Sequence, residues 1–147
     1  MQHANSPSWP RWVLFAAATY NIVWGAWVVL FPWHVFELVG MEQPVYPMIW
    51  QSVGMIVGVY GLGYGLAAFD PNRHWPIILV GFLGKVFGPI GFIYHYSIGT
   101  FPTAFWWVTL FNDLIWIIPF GLILLRARPW QVSDGFALGA TPSPKRP

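Results

Sequence analysis

The feature that most constrains this chain is a set of four apolar runs, each long enough to cross a lipid bilayer. At about 1.5 Å per residue, about 20 helical residues cross a hydrocarbon core of roughly 30 Å. The four runs cover residues 12–31, 48–69, 76–96 and 104–125. Their lengths predict four transmembrane helices.

The composition indicates the same class. Hydrophobic residues make up 56% of the 147 residues and charged residues only 8%, far from the soluble average. We therefore predict an all-α polytopic membrane protein: an antiparallel four-helix bundle in one domain, residues 1–128. The tail, residues 129–147, is predicted to be disordered in part unless a partner binds it. The run after Arg11 is too long for a signal peptide and lacks a small-residue cleavage site, so we expect it to stay in the protein.

Charge and cysteine content exclude several classes of function. The net charge is +2, but no helix carries a basic stripe, so nucleic-acid binding is not expected. The chain contains no cysteine, which excludes disulfides, thiolate metal sites and thiol catalysis.

Basic residues are distributed unevenly among the segments that connect the runs. Those outside the runs are Arg11, Arg73, Arg126, Arg128, Lys145 and Arg146. In a four-span chain these positions share one side, whereas the other two links contain Glu37 and Glu42 and no Lys or Arg. The positive-inside rule then predicts that both termini are cytoplasmic.

Glycines recur at steps of three and four in the second and third runs, and therefore form one stripe on each helix. The two stripes are Gly54, Gly58, Gly61 and Gly65, and Gly81, Gly84, Gly88 and Gly91. Small residues let membrane helices approach closely. We expect these two helices to pack against each other through their glycines.

A polar layer is predicted near the middle of the bundle. Counting about 1.5 Å per residue from the span ends places Asn21, Lys85, Asn112 and Asp113 at similar depths. An intramembrane charge faces the bundle interior and pairs, so Lys85 is predicted to pair with Asp113. The pair either fixes helix packing or acts as a proton relay or as a ligand anchor. Both interpretations, structural and functional, stay open.

A second polar layer is predicted near the outer face, comprising Gln51, Tyr94, His95, His34 and Glu37. Imidazole and carboxylate groups suit a transition metal, and His95 could instead be an axial ligand of a haem or pigment. Interfacial hydrogen bonding is the alternative. No cofactor is required by the sequence.

The segments FPWHVF after the first run and FNDLIWIIPF in the fourth, with the glycine-rich runs between them, resemble small bacterial membrane proteins of the DoxX-like kind. The resemblance covers most of the chain and implies a four-helix membrane protein, in some members attached to quinone-linked oxidoreductases. The fourth run is also similar to that of the EXPERA family, which includes sterol isomerases. Here, however, Trp116 follows Asn112 by four residues, where that family has three.

Three functional hypotheses follow. The first is a non-catalytic accessory or structural subunit, with protein partners in a larger membrane complex. The second is a binder or carrier of a small amphiphile, such as a quinone, in a pocket near Lys85. The third is a membrane-embedded enzyme that uses Asp113, Lys85 or His95 as acid or base.

Overall fold

The computed structural model describes residues 8–127, and within that range every regular element is helical. The helices are α1 (Trp9–Leu30), α2 (His34–Val39), α3 (Pro47–Ala67), α4 (Trp75–Ser97) and a C-terminal helix (Thr103–Ala127). The all-α class is therefore confirmed for this part of the chain. The predicted tail, residues 129–147, lies outside the described residues.

Three of these helices are long and apolar enough to cross a membrane: α1, α4 and the C-terminal helix. The fourth long helix, α3, has 21 residues but is not one of the three. Its many glycines, together with Gln51 and Ser52, lower its mean hydropathy. The coarse prediction of a membrane protein is thus supported by three helices.

The boundaries of the helices follow from local chemistry. Pro10, Pro47 and Pro76 each occupy the first turn of a long helix, where the missing N–H has no intrahelical partner to lose. The short helix α2 ends at Gly40, whose φ of 69° is left-handed, the conformation that glycine adopts without steric cost.

The glycine stripe of α3 packs against α1, so the prediction that it faces the stripe of α4 is wrong. A Cβ atom at Gly54 would lie 2.9 Å from the Gly25 carbonyl, and one at Gly61 would lie 2.9 Å from the Ala18 carbonyl. In return, a Cβ atom at Gly25 would lie 2.5 Å from the Gly54 carbonyl. The close helix pair is therefore α1 and α3, because α1 supplies small residues of its own.

The other predicted packing glycines differ in role. Gly65 approaches α1 only at ordinary contact distance, with a Cβ position 3.8 Å from the Ala18 side chain. Gly81 faces the Tyr64 ring, whereas Cβ atoms at Gly84 and Gly91 would meet no atom within 4 Å. Contacts between α3 and α4 thus lie near their connecting turn.

The core lies at the end of the bundle where α1 begins. Leu14, Tyr64, Ile78 and Phe120, one from each long helix, are buried there in one cluster. A second cluster, built on Trp24, Val28 and Val35, contains no residue of α4 within the described part of the chain. In that half of the bundle α4 packs on the C-terminal helix, and a cleft opens between α3 and α4.

We expect Gly25→Ala to lower the free energy of unfolding by about 1–3 kcal/mol, because the added methyl group must displace α3 backbone atoms. Gly58→Ala is the matched control, since a Cβ atom there meets nothing within 4 Å. The measurement is unfolding of the purified protein in detergent, followed by circular dichroism. Equal stability of the two variants would contradict the close α1–α3 contact.

Candidate functional site

The centre of the candidate site is an ion pair between α4 and the C-terminal helix. Lys85 Nζ lies 3.6 Å from Asp113 Oδ1, and the two side chains are 7% and 13% exposed. Lys85 Nζ also donates a hydrogen bond of 2.5 Å to the Asn112 carbonyl. The structure thus joins the two charges that the sequence predicted to pair.

A π-helical segment presents these acceptors. Residues Leu110–Leu114 form it within the C-terminal helix, between the α-helical parts Trp106–Thr109 and Ile115–Ala127. The widened turn changes which N–H groups reach its carbonyls, and such segments are frequent at functional sites. Two of these carbonyls accept side-chain donors instead: Asn112 accepts from Lys85, and Phe111 accepts from the Trp116 indole at 3.1 Å.

Two amide side chains complete the predicted polar layer. Asn112 Nδ2 donates to Asp113 Oδ1 at 3.2 Å. Asn21 is only 2% exposed, and the Oδ1 atoms of both asparagines are buried without a hydrogen-bond partner among residues 8–127. Buried acceptors of this kind are costly unless they are satisfied, so the layer retains unused hydrogen-bonding capacity.

Two residues of α4 support the ion pair in ways that the sequence analysis did not predict. The backbone of Gly88 lies against the Asp113 carboxylate, where a Cβ atom would overlap it. Pro89 lies inside α4 and has no N–H to donate to the carbonyl of Lys85, four residues earlier. The sequence GKVFGP contains the signal for these two residues, because Gly88 and Pro89 follow Lys85 after about one helical turn.

A cavity of about 240 Å³ lies beside the pair, in the cleft between α3 and α4. Its lining comprises Asn21, Ile56, Val57, Tyr60, Tyr64, Gly81, Gly84, Lys85, Gly88, Asn112 and Asp113. All four predicted mid-bundle polar residues therefore contribute to one cavity. Its remaining wall is apolar and aromatic, a composition typical of small-molecule sites.

The second predicted layer does not assemble into one site. Gln51 donates to the Val29 carbonyl at 2.8 Å and so ties α3 to α1. His34 accepts from the Trp27 indole at 3.3 Å, and it stacks on Phe31. These residues make local contacts around the end of α1.

The remaining members of that layer also have local partners. Glu37 accepts from Gln43 at 3.1 Å, and His95 lies 2.9 Å from the Thr100 hydroxyl and packs on Tyr94. Within residues 8–127 no three His, Cys, Asp or Glu side chains are placed to hold a metal ion. The proposed metal site at His34, Glu37 and His95 is therefore not formed in this part of the chain.

The side chains of the site can hold a polar group through hydrogen bonds and charge. Lys85 is a hydrogen-bond donor, Asp113 and the two asparagine oxygens are acceptors, and Tyr60 and Tyr64 add phenolic groups. His95 does not line the cavity, which separates it from the other two candidate acid–base groups.

Comparison with protein-family models, curated proteins and solved structures finds no match to this chain. The resemblance to DoxX-like proteins therefore stays a prediction, and the site has to be interpreted from its own geometry.

We expect Lys85→Met to destabilise the bundle by about 3–5 kcal/mol, because it leaves the Asp113 carboxylate buried without its cation. The double variant Lys85→Met with Asp113→Asn should recover most of that loss. Asparagine is the suitable partner because the Gly88 backbone leaves no room for a larger side chain. Thermal unfolding in detergent measures both, and parental stability of Lys85→Met alone would exclude a role for the pair.

Proposed function

We propose that the protein binds a small amphiphile, such as a quinone, with its polar head in the cavity beside Lys85. The observation that carries the proposal is the 240 Å³ cavity lined by Lys85, Asp113, Asn21 and Asn112. A bundle in which the ion pair served packing alone would have no need of open space next to it. This cavity favours the binding hypothesis over a purely structural pair.

The donors in the cavity suit a head group with an acceptor oxygen. Lys85 carries three N–H donors. One donates to the Asn112 carbonyl, and Asp113 Oδ1 lies 3.6 Å from Nζ, at ion-pair distance. Donor capacity therefore remains for a ligand. A quinone carbonyl is an acceptor of the required kind, and its ring would lie against Tyr60 and Tyr64.

The cleft gives such a ligand access from the side of the bundle. Ile56, Gly84 and Gly88 line the cavity and are exposed. An apolar tail could therefore extend outward between α3 and α4 among lipid chains while the head stays inside. This arrangement suits a ligand that partitions into the bilayer.

The proposal includes four membrane spans, with α3 as the fourth, and cytoplasmic termini in a bacterial inner membrane. The outer face of α3 supports this, because it exposes large apolar side chains along its length: Met48, Ile49, Val53, Met55, Ile56, Val59, Leu62 and Leu66. Its glycines lower its hydropathy, and Gly54, Gly61 and Gly65 among them face α1. Lipid-facing and protein-facing sides are thus separate on this helix.

Cysteine labelling tests this topology without background, since the chain has no cysteine. We expect Gln43→Cys and Thr100→Cys to react with a membrane-impermeant maleimide added to intact cells. Ser8→Cys and Asn72→Cys should react only after lysis, and all four positions are exposed. Identical labelling of positions 43 and 72 would show that α3 does not cross the membrane.

Blocking the cavity tests the binding function. We expect Gly84→Leu to reduce the affinity for a quinone with a short isoprenoid tail by at least about tenfold, because the new side chain fills the cavity. Since a Cβ atom at Gly84 meets nothing within 4 Å, the fold should tolerate the change. Quenching of tryptophan fluorescence in detergent measures the affinity.

Gly91→Leu is the matched control. Gly91 is a glycine of the same helix, equally open at its Cβ position, and it does not line the cavity. Its variant should bind the quinone as the parent does. A parent that shows no saturable binding of the quinone, or equal binding by both variants, would refute the proposal.

A second candidate function is the accessory subunit of a larger membrane complex. An aromatic groove between α1 and the C-terminal helix favours it, on a different face from the cleft. The groove is lined by Ala16, Thr19, Tyr20, Val23, Trp24, Trp27 and Phe111 and measures about 790 Å³. A partner helix that packed in this groove would bury the aromatic side chains that line it.

Recovery of the protein only as a free monomer after gentle solubilisation of native membranes would count against this function.

A further inference from the structure

A second cavity lies at the end of the bundle where α1 begins and the C-terminal helix ends. It measures about 440 Å³, and Arg11 and Arg126 both line it, together with Ser8 and Asn72. Phe69 and Ile123 contribute apolar wall. The cavity therefore combines two positive charges, two neutral polar groups and an apolar side.

Aromatic rings position both guanidinium groups. The Arg11 guanidinium lies 5.5 Å from the Phe15 ring centroid and 5.6 Å from that of Phe69. The Arg126 guanidinium lies 5.1 Å from the Trp9 ring centroid. Cation–π contacts of this kind hold the guanidinium group beside the rings and leave its N–H groups as donors for a ligand.

Neither arginine forms an ion pair with a carboxylate among residues 8–127, where the only ion pair is Lys85–Asp113. Two guanidinium groups that share a cavity repel each other, and an anion between them removes that repulsion. Guanidinium forks match phosphate oxygens bidentately. The pair of arginines therefore suits an anion of phosphate type.

We propose that this cavity binds the headgroup phosphate of an anionic phospholipid. The site lies at the ends of apolar helices, at the level where a bilayer places its headgroups, and its apolar wall at Phe69 and Ile123 can receive the start of an acyl chain. A glycerol headgroup can donate to Asn72 and Ser8, whereas a choline headgroup would add a cation beside two others. The inference is independent of the quinone cavity, which shares no lining residue with this site.

The experiment is native mass spectrometry of the purified full chain in micelles that contain equal amounts of phosphatidylglycerol and phosphatidylcholine. We expect the parent to retain phosphatidylglycerol preferentially. Arg11→Gln and Arg126→Gln should each lower that retention by about fivefold, the effect of one basic residue at an anionic surface. Arg73→Gln is the matched control, because Arg73 is exposed in the turn between α3 and α4 and does not line the cavity.

Each outcome decides the proposal. Selective loss in the two cavity variants, with helical content unchanged by circular dichroism, would support it. Equal loss in all three variants would indicate general surface charge and overturn it, as would equal retention of the two lipids by the parent. A further sample of the parent contains millimolar inorganic phosphate. Complete displacement of the lipid by this phosphate would assign the site to a soluble phosphate instead. Because each arginine is changed singly, the test remains usable if one of the two cavity variants fails to fold.

Discussion

The arrangement of the bundle depends on the need to neutralise Lys85 inside an apolar environment. A single segment of the C-terminal helix supplies both the Asn112 carbonyl and the Asp113 carboxylate, so α4 has one favourable register against it. A buried ion pair adds little net stability compared with apolar packing, whereas an unpaired charge is expensive. The pair therefore disfavours other registers, and the cleft beside it inherits a fixed set of polar groups.

The number and limits of the long helices could be predicted from the sequence because bilayer thickness sets a length that the apolar runs display directly. The helix that packs closely against α3 could not be predicted from the sequence. A glycine stripe shows that some helix approaches closely, but it does not identify which one. The decisive residues are Ala18 and Gly25, small residues of α1 whose backbone carbonyls approach Gly61 and Gly54 and which do not form a glycine repeat of their own.

The mid-bundle site was partly predictable for a related reason. Counting along straight helices ranks residues by position on the bundle axis, and it correctly placed Lys85 level with Asp113. Counting does not show which helices lie side by side. For this reason His34 and His95 were predicted to share one layer, although each contacts its own neighbours. The cavity itself depends on the divergence of α4 from α3 beyond their connecting turn, which has no periodic signature in the sequence.

The π-helical segment at Leu110–Leu114 has a consequence for the whole C-terminal helix. One extra residue in a turn sets the following part of a helix back by about 100° relative to a regular α-helix. The part before the segment thus presents Phe105 and Val108 to the cluster around Trp24, and the part after it presents Phe120 and Ile123 to the cluster around Tyr64. The segment acts as a phase shift that lets one continuous helix serve two cores, and the carbonyl that receives Lys85 lies at the position where the phase changes.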